Sequence, residues 1–183
     1  MLKRAATYES LREGFDWAIP ERLNMAAQVL AYPAEQVAIV DLSDDRREVT
    51  FGDLAEMSGR LAFALSKRVK RGDRVGVLFS QDAWCAAAHI AIWKIGAISV
   101  PLFKLFKRDA LESRIADSGL ALVVTDLEGA GMLDGLAEAI LPHDLPAGDV
   151  DMVDTASEEP AVLIYTSGTT GKPKGALHAH RVL

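Results

Sequence analysis

A single cysteine stands among the 183 residues, so no internal disulfide can form. Cys85 lies in the apolar stretch Ala83-Trp84-Cys85-Ala86-Ala87-Ala88 with no matched base beside it. That setting reads as a buried structural thiol rather than a nucleophile, and cysteine use this sparse fits a reducing, cytoplasmic compartment. Long apolar runs are missing too. The longest, Ala83 to Trp93, is interrupted by His89 and falls short of the roughly 18 residues that span a bilayer, so no transmembrane helix is predicted. The opening segment, Met1-Leu2-Lys3-Arg4-Ala5-Ala6-Thr7-Tyr8-Glu9, lacks the apolar stretch of a secretory signal, and Glu9, Glu13 and Asp16 argue against a transit peptide. Positive charge is in deficit: 20 Lys+Arg stand against 26 Asp+Glu, for a formal net charge of −6. Sequence-independent nucleic-acid binding needs clustered cations. The one cluster here, Lys67-Arg68 with Lys70-Arg71, closes a helix, where cations complement the dipole.

What is present is apolar patterning, with 50% hydrophobic residues. A chain of this length buries roughly 70% of the surface it exposes when unfolded, enough for one domain or part of a larger one. From Phe51 to Val69, the residues Leu54, Met57, Leu61, Ala64, Leu65 and Arg68 recur at three- and four-residue steps, one face of a helix, with Thr50 and Asp53 as its capping box. Gly72-Asp73 ends that helix. Val75-Gly76-Val77-Leu78-Phe79 is then a short continuous apolar run of the kind buried on both faces in a parallel sheet. The unit repeats twice. Asp82 caps a helix that runs to Ile95 and stops at Gly96 before the strand Ala97-Ile98-Ser99-Val100, and Asp109 opens a helix that stops at Gly119 before Leu120-Ala121-Leu122-Val123-Val124-Thr125.

This alternation predicts an α/β fold: a mainly parallel, doubly wound sheet with flanking helices and a ligand crevice at the carboxyl ends of the strands. Ahead of it, Val37–Leu42 and Glu48–Thr50 flank the polar stretch Ser43-Asp44-Asp45-Arg46-Arg47 as a hairpin. Behind it, Pro142 to Pro160 holds Asp149, Asp151, Asp154, Glu158 and Glu159 with little periodicity and reads as an acidic connector. The chain thus divides into an N-terminal α/β subdomain, 1–141, the connector, 142–160, and 161–183, a strand with a polar loop that opens the next subdomain.

The chemistry lies in that last part. After the strand Ala161-Val162-Leu163-Ile164-Tyr165 come Thr166-Ser167-Gly168-Thr169-Thr170-Gly171-Lys172-Pro173-Lys174-Gly175, with four hydroxyls, three glycines and two ammonium groups. Those are the parts of a polyphosphate cradle. Hydroxyls donate to phosphoryl oxygens, glycines let backbone N–H groups approach an oxyanion, and Lys172 and Lys174 supply point charges against the β- and γ-phosphates. A Walker A loop is excluded, because Pro173 stands where its second glycine is needed. Pro173 also biases Lys172 away from the α region, so Ala176-Leu177-His178 continues as an extended segment.

Tyr165 to Gly175 resembles the phosphate-binding signature of the adenylate-forming superfamily, which includes AMP-forming acyl-CoA synthetases, peptide-synthetase adenylation domains and luciferases. Val49-Thr50-Phe51-Gly52-Asp53-Leu54 is similar to that family's early T-[YF]-x-[ED]-L element, and Trp93 to Leu102 to its K-x-G-A-x-x-V-P-L element. The stretch Phe15 to Asn24 resembles acetyl-CoA and medium-chain acyl-CoA synthetases. The resemblance implies a ligase of fatty acid or other carboxylic acid metabolism, with ATP, Mg²⁺ and coenzyme A as co-substrates. It further implies phosphate binding by Thr166, Ser167, Gly168, Thr169, Thr170, Gly171, Lys172 and Lys174, with Lys174 as the catalytic residue. Only eight residues follow Gly175, whereas members of the superfamily continue several-fold further. Their later elements supply the adenine, ribose, acyl, metal and terminal-lysine sites. The expectation is therefore an enzyme segment that is inactive alone, and no metal-binding residue is assigned in it.

A second functional class is a non-catalytic α/β module that binds a nucleotide or a partner chain. Smaller features carry bland readings. His178 and His180 alternate on an extended segment without a third ligand, a strand-face pair rather than a metal site. Gly129-Ala130-Gly131 and Gly135 lack dinucleotide-binding spacing and read as a loop opening a helix. Trp84, Ile92 and Trp93 read as core.

Overall fold

The computed structural model describes residues 6–42, 46–120, 122–166 and 173–182. Two short helices, α1 (Tyr8–Glu13) and α2 (Met25–Val29), precede a hairpin of β1 (Val37–Asp41) and β2 (Arg47–Thr50), whose turn residues 43–45 lie outside the described residues. Helices and strands then alternate: α3 (Phe51–Ser66), β3 (Arg74–Phe79), α4 (Ala83–Lys94), β4 (Ile98–Phe103), α5 (Arg108–Ser118), β5 (Leu122–Thr125), α6 (Leu127–Met132) and β6 (Glu138–Ile140). After two irregular stretches around a 3₁₀ turn at Pro142–Asp144 come β7 (Pro160–Thr166), β8 (Lys174–Ala179) and a last 3₁₀ turn, His180–Val182.

β3 to β8 form one six-stranded sheet in the order β6-β5-β3-β4-β7-β8. The β3–β4, β3–β5, β5–β6 and β4–β7 pairs are parallel, and β8 runs antiparallel to β7. The expected parallel arrangement of the three apolar runs is thus observed. Its cause is visible in β3, where Val75, Val77 and Phe79 pack against α3 and α4 on one face while Leu78 packs against α5 on the other. A strand covered on both faces gains from apolar side chains at every position.

The helix boundaries follow local chemistry. Thr50 and Asp53 form the reciprocal capping box of α3, and Asp82 accepts from the Cys85 N–H to cap α4. Gly119 ends α5 in the left-handed region at φ 65°, which glycine adopts without steric cost. Two expectations are corrected here. The N-cap of α5 is Lys107, with no side-chain hydrogen bond, and Asp109 sits inside the first turn, where its charge favours the positive end of the dipole without capping it. Gly129 and Gly131 lie within α6 itself rather than in a loop before it. The reason at Gly129 is space, since a Cβ there would stand 1.9 Å from Thr125 Oγ1 and 3.0 Å from the Leu78 carbonyl oxygen. β4 also runs longer than the sequence suggests, through Pro101 to Phe103, in register with Val77 and Phe79.

The acidic stretch after β6 is fastened down. Leu145 is buried, the Val153 N–H donates to the Lys94 carbonyl at 2.8 Å, and Thr155 Oγ1 donates to the Leu23 carbonyl at 2.7 Å. Three of its acids form ion pairs with more distant cations: Asp149 with Lys94 at 2.6 Å, Asp154 with Arg22 at 2.8 Å, and Glu159 with Arg71. Lys94 is buried, so its ammonium needs that carboxylate. Burial pushes the Asp149 carboxyl up, and the Lys94 ammonium and the Val150 N–H outweigh that and hold it below the ordinary value.

Candidate functional site

The candidate loop joins two antiparallel strands. β7 and β8 pair from Pro160↔Ala179 to Thr166↔Lys174, so Thr166 and Lys174 face each other across the last rung, and both are exposed. Ser167, Gly168, Thr169, Thr170, Gly171 and Lys172 lie outside the described residues. β7 runs parallel to β4 with Ser99 opposite Val162. Counting along both strands sets Thr166 level with Phe103, at the carboxyl edge of the sheet.

The two faces of β7 have different surroundings, because successive side chains alternate. Leu163 and Tyr165 pack on the cluster that includes Val100, Leu111 and Ile115 beneath α5. Val162 faces the other way, with Met25 and Trp93, and Thr166 shares that orientation. The start of the strand is pinned by Trp93, whose indole N–H donates both to the Ala161 carbonyl at 3.0 Å and to Ser99 Oγ at 3.1 Å. Near the loop, the Tyr165 hydroxyl donates to Asp117 Oδ2 at 2.6 Å. Burial and the adjacent Asp117 carboxylate push the phenol up to about 12, so it keeps its proton at neutral pH.

The two histidines of β8 and its exit part company. His178 pairs with Val162 across the hairpin, whereas His180 opens the final 3₁₀ turn and is fully buried. The expected strand-face pair is thereby corrected: the chain turns at His180, whose Nδ1 accepts from the Met25 N–H at 3.1 Å. Burial holds the His180 imidazole below its ordinary value. It is a fastener between α2 and the end of β8.

Other titratable groups cluster at the same edge of the sheet. Lys104, just past β4, makes ion pairs with Asp126 at 2.5 Å and Glu128 at 2.7 Å. Burial lowers the Lys104 ammonium, and the two carboxylates more than restore it. On the α4 side, a cavity of about 400 Å³ is lined by Phe79, Asp82, Cys85, His89, Pro101 and Phe103, among others. His89 stacks on Trp93, with centroids 5.6 Å apart, and its buried Nδ1 has no hydrogen-bond partner among the described residues. Burial lowers that imidazole to about 4, so it is neutral. Cys85 is half-buried, and burial raises its thiol further above neutrality, which keeps it a thiol and agrees with a structural role. Trp84 and Trp93 are both partly buried and pack on core clusters as expected, and Trp84 also lines a cavity with Phe79 and Leu127. Among the described residues, no group of three or more His, Cys, Asp or Glu could hold a metal ion.

Of the expected phosphate-binding residues the structure places Thr166 and Lys174 on one rung, and the sequence assigned no role to Tyr165, Asp117 or Lys104. Asp117 is 48 positions from Tyr165, and only the packing of α5 over the sheet makes them neighbours. Lys104 carried a weak signal, a lone cation just past a strand with acids following the next strand.

Comparison with known proteins gives the arrangement a context. Residues 25–183 match the family described as AMP-binding enzyme. Acetyl-coenzyme A synthetase of Shewanella oneidensis is 29% identical in an alignment covering 96% of this chain and 34% of that protein. A plipastatin synthase of Bacillus subtilis is 32% identical, covering 84% of this chain and 6% of that much longer protein. Among solved structures, a Brucella canis acyl-CoA synthetase superposes with a TM-score of 0.81 at 27% identity, over 95% of this chain and 38% of that one. The chain spans about a third of the length of the acetyl-coenzyme A synthetases it matches.

Proposed function

The chain belongs to the AMP-binding enzyme family, and on that premise we propose that it carries the pyrophosphate-holding part of an AMP-forming acyl-CoA ligase. The observation that carries this reading is the Thr166↔Lys174 rung, which sets an exposed hydroxyl and an exposed ammonium side by side at the carboxyl edge of a parallel sheet. In the complete ligase, a carboxylate attacks the α-phosphorus of ATP and pyrophosphate leaves. The thiol of coenzyme A then displaces AMP from the acyl-adenylate. The part this chain plays concerns the leaving group. Thr166 donates its hydroxyl to a phosphoryl oxygen, and Lys174 sets a point charge against the oxygens where negative charge accumulates as pyrophosphate departs. Ser167, Gly168, Thr169, Thr170, Gly171 and Lys172 complete the cradle by hydroxyl, backbone N–H and ammonium contacts. Mg²⁺, when bound, would supply further positive charge. Among the described residues, no group of three or more His, Cys, Asp or Glu gathers to hold it.

A carboxylic acid, ATP and coenzyme A are the substrates on this reading, and a reducing cytoplasm the compartment. The adenine, ribose and acyl contacts belong to parts of the relatives that this chain does not span. On this reading, purified 1–183 should show no carboxylate-dependent ATP–pyrophosphate exchange. Exchange above a vector control by purified 1–183 would refute that statement. The deciding experiment uses a full-length ligase containing this segment. Lys174→Ala should slow adenylation and leave thioester formation from supplied acyl-adenylate near its original rate, because only the first half-reaction releases pyrophosphate. Equal losses in both would make Lys174 a support of the loop's fold. An unchanged rate in both would mean that Lys172 alone carries the charge.

A further inference from the structure

One face of the hairpin is assigned to phosphate, and the opposite face holds a polar cluster that phosphate chemistry leaves unused. Tyr165 and Gly175 form the rung directly before Thr166 and Lys174. Residues paired across a rung share a face and successive rungs alternate, so Tyr165 faces α5 while Thr166 and Lys174 face away from it. The ring lies over the partner strand: a Cβ on Gly175 would stand 2.9 Å from Leu163 Cδ1 and 3.4 Å from Tyr165 Cε1 and Cζ. Its hydroxyl donates to Asp117 near the end of α5, at 2.6 Å. One turn earlier on the same helix, buried Arg114 sets its guanidinium 4.1 Å from the Phe106 ring centroid and 5.9 Å from that of Tyr165. Arg114 Nη1 donates to the Ala110 carbonyl at 2.7 Å, and its Nε is buried with no hydrogen-bond partner among the described residues. A buried cation over two rings, one of them the phenol that engages Asp117, has its charge and its position fixed together.

The hairpin needs such an anchor. β4 and β7 register at Ser99↔Val162 alone, and the far side of β8 is the edge of the sheet. From Val162 to the loop, lateral support therefore comes from side-chain packing, Leu163 and Tyr165 lying on the cluster shared by β4 and α5.

We propose that Asp117, Arg114 and Tyr165 are positioning residues, a clamp by which α5 fixes the last rungs of the β7–β8 hairpin and so sets where Thr166 and Lys174 meet phosphate. The inference rests on the phosphate-binding reading for its consequence, and on geometry alone for the clamp. A loop rich in glycine can hold an oxyanion tightly only if its two ends are already placed, because otherwise binding must also order the ends.

The test is made in the 183-residue chain with two readouts: amide hydrogen exchange at residues 163–166 and 174–177, and NMR titration with magnesium pyrophosphate. Tyr165→Phe keeps the ring and removes the donor, Asp117→Ala removes the acceptor, and Asp117→Asn keeps one. Tyr165→Phe and Asp117→Ala should each speed exchange at these amides at least tenfold and weaken pyrophosphate binding three- to tenfold. Asp117→Asn should stay within twofold of the parent in both. The double variant should be no worse than the more severe single one, since both cut the same bond. Unchanged exchange in Tyr165→Phe overturns the clamp. So does a loss of thermal stability that Asp117→Asn fails to rescue and that leaves pyrophosphate affinity unaltered. If the parent chain binds no pyrophosphate yet Tyr165→Phe speeds exchange and Asp117→Asn does not, the clamp stands and the phosphate reading falls.

Discussion

β3 and β7 are strands of one sheet with opposite kinds of surroundings. In β3, Val75, Gly76, Val77, Leu78 and Phe79 are all buried. β7 is buried at Ala161 and Val162, and then Ile164 and Thr166 open to solvent while Leu163 and Tyr165 stay against α5. The first strand is sealed on both faces and can hold the fold. The second is sealed on one face only, which leaves a row of side chains free for chemistry. Its polar end is tolerable because the loop leaves from the strand tip, where backbone groups reach water.

Substitutions in the two strands should separate accordingly. Leu78→Ala, which removes a fully buried side chain of β3, should destabilise the chain by about 2–5 kcal/mol in urea unfolding. A loss under 1 kcal/mol would mean that the sheet repacks around β3 and that the contrast with β7 is overdrawn. Lys174→Ala, at an exposed position, should leave the urea midpoint within about 0.5 kcal/mol of the parent. In a full-length ligase it should raise the adenylation barrier by about 2–4 kcal/mol, by analogy with removing one oxyanion donor. Stability loss without rate loss in that variant would sink the division of labour.

A pH series reaches the packing between the two regions. His89 and His180 both hold folded values below the ordinary 6.5, His89 at about 4. A group with a depressed folded value contributes its full stability above the unfolded value and loses it as pH falls toward the folded one. Stability should therefore decline between about pH 6.5 and pH 4, by on the order of 1–3 kcal/mol. His89→Phe should flatten part of that decline, as read from urea midpoints across the range. A decline of the same size in His89→Phe and the parent would assign it to His180 and to the carboxylates. The smallest effect belongs to the caps. Asp82→Ala should cost about 1 kcal/mol and leave the hairpin's exchange rates untouched.

The same contrast explains how much was legible in the chain. The sealed region advertises itself: unbroken apolar runs, glycines after helices and Asp or Thr before them are local signals, and local sequence contains them. Asp109 misled because an acid in the first turn and an acid at the N-cap satisfy the same dipole. Gly129 misled because its reason, contact with Thr125 and the Leu78 carbonyl, lies on other elements. At the site, the composition of the loop carries the phosphate reading, while its support did not show. Nothing near Tyr165 in sequence points to Asp117 or Arg114, and His178 and His180 looked equivalent until the chain turned between them.

The bond from the Trp93 indole to the Ala161 carbonyl gives the molecule an optical gauge. Trp17 is 75% exposed and emits as a hydrated indole, whereas Trp93 sits wedged where α4 meets the first rung between β4 and β7. Lifting β7 from the sheet breaks that bond and removes Val162 from the ring's neighbourhood. With Trp17 and Trp84 replaced by phenylalanine, a red shift of the remaining fluorescence would time the hairpin's departure from the sheet apart from global unfolding.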